Sequence, residues 1–147
     1  MPPDVTVQIM LIAQLVGSIG MFGAIWVIQA AHYPLQRHVD HEQFVTFQAS
    51  HMQRISYVVG PLMLIEAASA TWLLFLDLPA PGMLLAWVGM GLVLLLWLST
   101  LLLQVPCHWI LERGWDERAH HRLVMTNWVR TLAWTGRAVI AIWMLML

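Results

Sequence analysis

Two long intervals of this chain carry no charged side chain. None occurs between Asp4 and Arg37, and none between Asp77 and Glu112. A bilayer's hydrocarbon core is about 30 Å thick, and a helix needs about 20 apolar residues to cross it. Both intervals exceed that length, so each is expected to hold a transmembrane helix. Two further apolar stretches alternate with them. The expected fold is all-α, an integral membrane four-helix bundle forming one transmembrane domain over 1–147, with spans at about 7–31, 55–76, 83–104 and 124–147. Composition points the same way. The 147 residues are 60% hydrophobic and 10% charged, whereas a soluble domain carries about 25% charged residues. Too few charges remain to cover a surface that faces water.

Local signals place the ends of these helices. Pro34 closes the first span, because proline cannot donate the helical hydrogen bond. The second helix is expected to begin before its span, with Asp40 as N-cap and Gln43 at the capping-box position. The turn Leu78-Pro79-Ala80-Pro81-Gly82 leads into the third, which continues, kinked at Pro106, to about Leu111. Gly114 suits a helix C-cap and Asp116 the next N-cap. The start, Met1-Pro2-Pro3-Asp4, lacks the positive region of a signal peptide, and the first span is read as retained. Cys107 is the sole cysteine, so no internal disulfide is expected. A net charge of −1 leaves no nucleic-acid footprint.

Arginine placement orients the bundle. Arg37 and Arg54 flank the first connection, and Arg113, Arg118 and Arg122 lie in the third. The second connection carries only Asp77 and the N-terminal tail only Asp4. The first and third connections are expected in the cytoplasm, with both termini outside it and the chain in the inner membrane.

All seven histidines fall at the expected cytoplasmic end: His32, His38, His41, His51, His108, His120 and His121. His38, His41, His120 and His121 read as wet surface residues. His32, His51 and His108 each continue a polar stripe that the 100° helical step draws along a span. The stripes are Gln14, Ser18, Gln29 and His32; Gln48, His51, Val58, Leu62, Glu66 and Ser69; Thr100, Gln104 and His108; and Thr126, Arg130, Trp134 and Arg137. Polar groups avoid lipid, so the stripes are expected to face inward together. Hydrogen bonding between helices explains the Gln, Ser and Thr. It explains three histidines and the ionisable groups less well.

Glu66 and Arg137 are the most costly residues in hydrocarbon. Each lies about 15 Å from the far end of its helix at about 1.5 Å per residue, and an ion pair is the least costly way to hold both. Together with Arg130 they form the candidate catalytic set. His32, His51 and His108 are candidate ligands for a metal ion or haem, with Gln104 beside them as a cofactor contact. Glu117-Arg118-Ala119-His120 is one Glu-x-x-His motif, but a di-iron bundle needs two such motifs and two further Glu.

Two stretches also carry a family resemblance. One is His32-Tyr33-Pro34, His51-x-x-Arg54, Val58-Val59-Gly60-Pro61-x-Met63 and Glu66. The other is Trp97-Leu98-Ser99-Thr100, Gln104-Val105-Pro106-x-His108, Gly114-x-Asp116, Leu123-Val124, Thr126-Asn127-Trp128, Arg130-Thr131, Trp134 and Arg137. Together they resemble an uncharacterised family of small four-span bacterial membrane proteins. The resemblance covers most of the chain and implies fold and location, not an activity. Protoporphyrinogen-oxidase-like and anthrone-oxygenase-like four-span proteins share the size and layout without the motifs.

Two functional classes fit this pattern. The first is a membrane-embedded redox protein or enzyme with a histidine-lined polar site near the cytoplasmic face. Its substrate would be lipid-soluble, such as a quinone, isoprenoid or tetrapyrrole. The histidines would act as ligands or acid–base groups, and Glu66 and Arg137 would hold or protonate the substrate. The alternative is a non-catalytic structural or accessory subunit, surrounded by lipid and packed against other membrane subunits or copies of itself. A transporter is less favoured, because the paired, interrupted helices that mark one are missing.

Overall fold

The computed structural model describes residues 4–147 and is all-α, a bundle of four helices. The Met1-Pro2-Pro3 segment lies outside the described residues. The helices are α1 (Val5–Gln36), α2 (His41–Leu73), α3 (Gly82–Leu111) and α4 (Glu117–Met146), and each is long and apolar enough to cross a membrane.

Three of the four starts follow from short acidic side chains, and α3 starts after Pro81 with no side-chain cap. Asp4 accepts a hydrogen bond from the Thr6 N–H at 2.9 Å, Asp40 from Glu42 at 3.1 Å, and Asp116 from Ala119 at 2.7 Å. Each satisfies a first-turn donor that the helix itself leaves open. Gln43 does not close a capping box, and its side chain lines a groove instead. Helix α2 ends at Leu73, three residues short of the expected Leu76. There the N–H groups of Leu74, Phe75 and Leu76 bond back only three residues, to Thr71, Trp72 and Leu73. Gly114, at φ +145°, lets the chain turn between α3 and α4.

Helices α1 and α3 each contain one wide, π-helical turn, at Ile28–His32 and Thr100–Gln104. Both are followed closely by a proline, Pro34 and Pro106. Proline lacks an N–H and its ring crowds the carbonyl four residues back. A wider turn relieves that clash while the rod continues, and such turns recur at functional sites. Pro34 therefore widens α1 instead of ending it, and the helix runs on to Gln36.

Helix α1 packs against both α2 and α4, and α3 lies mainly on α4. The core holds Met21, Ile25, Phe44, Leu96, Leu111, Leu123 and Trp134. The outer surface is apolar, with Ile12, Val16, Leu64, Leu94, Leu98, Leu132 and Val139 exposed. In water such a surface would be unstable, whereas hydrocarbon matches it. Close approach of α1 and α2 depends on Gly17, where an added Cβ would lie 3.0 Å from Glu66 Cβ and backbone N.

Rods of 30 to 33 residues span roughly 45–50 Å, more than the roughly 30 Å of hydrocarbon. Measured from the far end, Glu66 and Arg137 stand roughly 10 and 14 Å along their helices, and His51 and His108 roughly 33 and 39 Å. The Glu66–Arg137 pair and the histidines therefore stand at separate levels, roughly 20–25 Å apart along the bundle.

Candidate functional site

The polar stripes converge, with one exception. Gln14, Ser18, Gln29, Gln48, Glu66, Ser69, Gln104, His108, Arg130 and Arg137 are all buried, while Val58 turns outward at 51% exposure. At the far level, three donors from two helices hold the Glu66 carboxylate. Oε1 accepts from Ser18 Oγ at 2.8 Å and from Arg137 Nε at 3.0 Å, and Oε2 accepts from Trp134 Nε1 at 2.9 Å. Charge-assisted bonds of this kind are short and strong. The ion pair uses only Nε, and Arg137 Nη1 and Nη2 have no partner among the described residues. Gly89 of α3 abuts this guanidinium, so a Cβ there would collide with Nη1.

Arg130 lies two turns earlier on α4. Its Nη1 donates to Asn127 Oδ1 at 3.0 Å, and its guanidinium sits over the Trp134 ring, 5.0 Å from the centroid. Asn127 in turn donates to Gln29 Oε1 at 2.8 Å. Among the described residues Arg130 has no carboxylate partner. Gln104 donates to Thr126 Oγ1 at 3.2 Å, which ties α3 to α4 and leaves it without a hydrogen bond to any histidine.

At the other level three histidines do meet. The rings of His32 and His51 are stacked, with centroids 4.1 Å apart and planes 21° apart. Phe47 lies nearly parallel to both, at 6.0 Å from His32 and 6.5 Å from His51. His108 stands 6.2 Å from His51. Behind these rings two buried amides form a chain. Gln36 Nε2 donates to Gln48 Oε1 at 3.2 Å and lies 3.4 Å from His32 Nε2, and Gln48 Nε2 lies 2.9 Å from His108 Nδ1.

In this arrangement His32, His51 and His108 do not form a ready ligand set for a metal ion or haem. A histidine binds metal along its ring plane at about 2.0 Å. Rings that lie face to face cannot both aim a nitrogen at an ion between them, and the same holds for two axial ligands of one haem iron. Among the described residues no group of three or more His, Cys, Asp or Glu is placed to hold a metal ion. His120 departs from its expected wet setting too. It is buried against Trp115, 4.7 Å between ring centroids, and its Nε2 donates to the Tyr33 carbonyl at 3.0 Å. His38, His41 and His121 are exposed.

A groove of about 810 Å³ opens on the bundle's flank beside the stacked rings. His32, Phe47 and His51 form part of its wall, Gln43, Ser50 and Arg54 contribute polar groups, and Ile55 and Val58 continue it toward the hydrocarbon. Polar groups joined to an apolar track along one wall suit an amphiphile with a flat head group. Sequence reasoning singled out the wall residues His32 and His51 as site candidates, but not Phe47, nor Gln36 behind them. The signal was there in the four-residue spacing of Phe47 to His51 and of His32 to Gln36, which places each pair on one helix face.

Fold and site together define a multi-pass, all-α membrane protein with a polar core and a histidine-lined lateral groove. No protein-family model matches the chain, and neither does any curated protein or solved structure.

Proposed function

We propose that this protein is a membrane-embedded redox protein or enzyme that takes the head group of a lipid-soluble substrate into the lateral groove. The observation that carries this reading is the groove itself, with two imidazoles and a phenyl ring along its wall and an apolar track toward the hydrocarbon. His32 and His51 serve as acid–base groups toward the substrate. Glu66 and Arg137 lie at a different level and tie α2 to α4, while Arg130 bonds and stacks within α4. Arginine asymmetry places the first and third connections in the cytoplasm, so substrate enters from the cytoplasmic leaflet of the inner membrane. The resemblance to small four-span bacterial proteins agrees with that location.

The test is purification in mild detergent, followed by an absorption spectrum, metal analysis and solvent extraction with mass spectrometry. Wild-type protein is expected to release a lipid-soluble molecule in near-stoichiometric amount. His51→Ala and Phe47→Ala should each lose most of it, while His38→Ala and His121→Ala keep it. A Soret band or stoichiometric metal would replace the groove with a cofactor centre. A colourless, ligand-free protein that co-purifies with fixed membrane subunits, or only as a homo-oligomer, would favour the accessory-subunit reading. That reading has its own support, because the Glu66 carboxylate accepts three hydrogen bonds from within the bundle.

A further inference from the structure

Gln36 and Gln48 are buried glutamines, 1% and 0% exposed, that touch two histidines and each other. An amide NH2 group only donates and an amide oxygen only accepts. Gln36 Nε2 has two hydrogens and two acceptors within reach, Gln48 Oε1 at 3.2 Å and His32 Nε2 at 3.4 Å. Gln48 Nε2 points at His108 Nδ1 from 2.9 Å. Turning one amide alone would set donor against donor or acceptor against acceptor, so the two orientations are linked. Turning both would leave the Gln36 NH2 where its oxygen now stands, a position with no partner among the described residues. Two orphaned N–H hydrogens in a buried site cost more than one under-used carbonyl. The orientation in which both amides donate is therefore the stable one.

We infer that Gln36 and Gln48 act as positioning residues that hold His32 and His108 as neutral imidazoles of opposite tautomer, so that the groove selects a flat, carbonyl-bearing head group of quinone type. The second half of this inference rests on the groove being the substrate site. His108 accepts at Nδ1 and keeps its proton on Nε2. His32 accepts at Nε2 and keeps its proton on Nδ1. No hydrogen bond among the described residues engages His32 Nδ1, and His32 lines the groove. His32 therefore donates from Nδ1 to a head group bound there, which must accept. The nearly parallel planes of His32, His51 and Phe47 favour a flat ring that carries that acceptor.

Nitrogen NMR on full-length protein in lipid nanodiscs, labelled at the histidine ring nitrogens, reads the tautomers directly. Single removals of His32 and His108 assign the signals. Wild-type His108 is expected to show a bare Nδ1 and a protonated Nε2, and His32 the reverse. Gln48→Met should give His108 a mixture of tautomers. Gln48→Glu, whose carboxylate only accepts, should move the His108 proton to Nδ1, and wild type and this variant decide the matter even if Gln48→Met misfolds. A wild-type His108 protonated at Nδ1, or no response to Gln48→Glu, overturns the relay.

A binding arm separates the relay from the groove. Quenching of tryptophan fluorescence compares a short-chain ubiquinone analogue with a benzene ring bearing the same chain. The quinone should bind roughly tenfold tighter, the worth of one good hydrogen bond, and Gln36→Met should erase most of that preference. Equal binding overturns the carbonyl assignment and leaves the groove as a ligand site. No binding of either compound overturns the substrate assignment together with the groove reading, and the tautomers alone then decide the relay.

Discussion

At the scale of single residues, Glu66 bears the heaviest demand. It is 2% exposed and its charge is balanced by one guanidinium nitrogen at 3.0 Å. Removing one partner of a buried pair leaves the other charge uncompensated, which costs about 3–5 kcal/mol in soluble proteins, and lipid supplies no water to repair it. Glu66→Gln and Arg137→Gln are each expected to destabilise the bundle by about that much. The double change should recover much of the loss, because two amides can bond to each other. Unfolding in detergent across the four-member cycle measures the coupling. Simple additivity would contradict the contact. Ligand retention in the folded double variant would assign the pair to structure, and ligand loss would assign it to the site.

At the scale of elements, the α1–α2 seam sets how closely the polar stripes meet. Gly17 backs directly onto Glu66, whereas Gly23 has nothing within 4 Å of an added Cβ. Backbone atoms at that seam cannot give way as a flexible side-chain tip would. Gly17→Ala is expected to cost about 1–3 kcal/mol, the usual range for overpacking, and to disturb the Ser18–Glu66 bond. Gly23→Ala should be neutral or slightly stabilising, since alanine favours helix. Thermal unfolding of the two variants side by side tests this, and equal effects would mean that the seam is looser than drawn. The two π turns act on the same scale. Each is seated by a proline, and they carry Gln29, His32 and Gln104 within or at the end of the widened segment.

At the scale of the whole molecule, the histidine groove and the Glu66–Arg137 pair occupy different levels of the bundle. Sidedness then decides which compartment the proposed substrate and its protons come from. Reporter fusions near Asp40 and Trp115 are expected to read as cytoplasmic, and fusions after Pro79 and Leu147 as non-cytoplasmic, because arginine is concentrated in the first and third connections. A cytoplasmic C-terminus would overturn this orientation and the entry side proposed for substrate.

Much of this molecule is legible in one dimension, because the bilayer makes strict demands that composition alone can meet. The charge-free intervals mark the helices, the prolines and short acidic residues mark most of their ends, and the 100° step gathers Gln48, Glu66, Arg137 and His108 onto inward faces. The matched depths of Glu66 and Arg137 anticipate their pairing, since hydrocarbon leaves few other partners. Tertiary structure alone decided the rest, because it depends on ring orientation and on contacts between helices. Periodicity places His32 and His51 near each other but cannot show that they stack face to face. It puts Pro34 at a helix end, although a wide turn carries the helix past it. Nor could it find the Gln36–Gln48 chain, because a glutamine's role is set by which atoms its amide meets across the bundle.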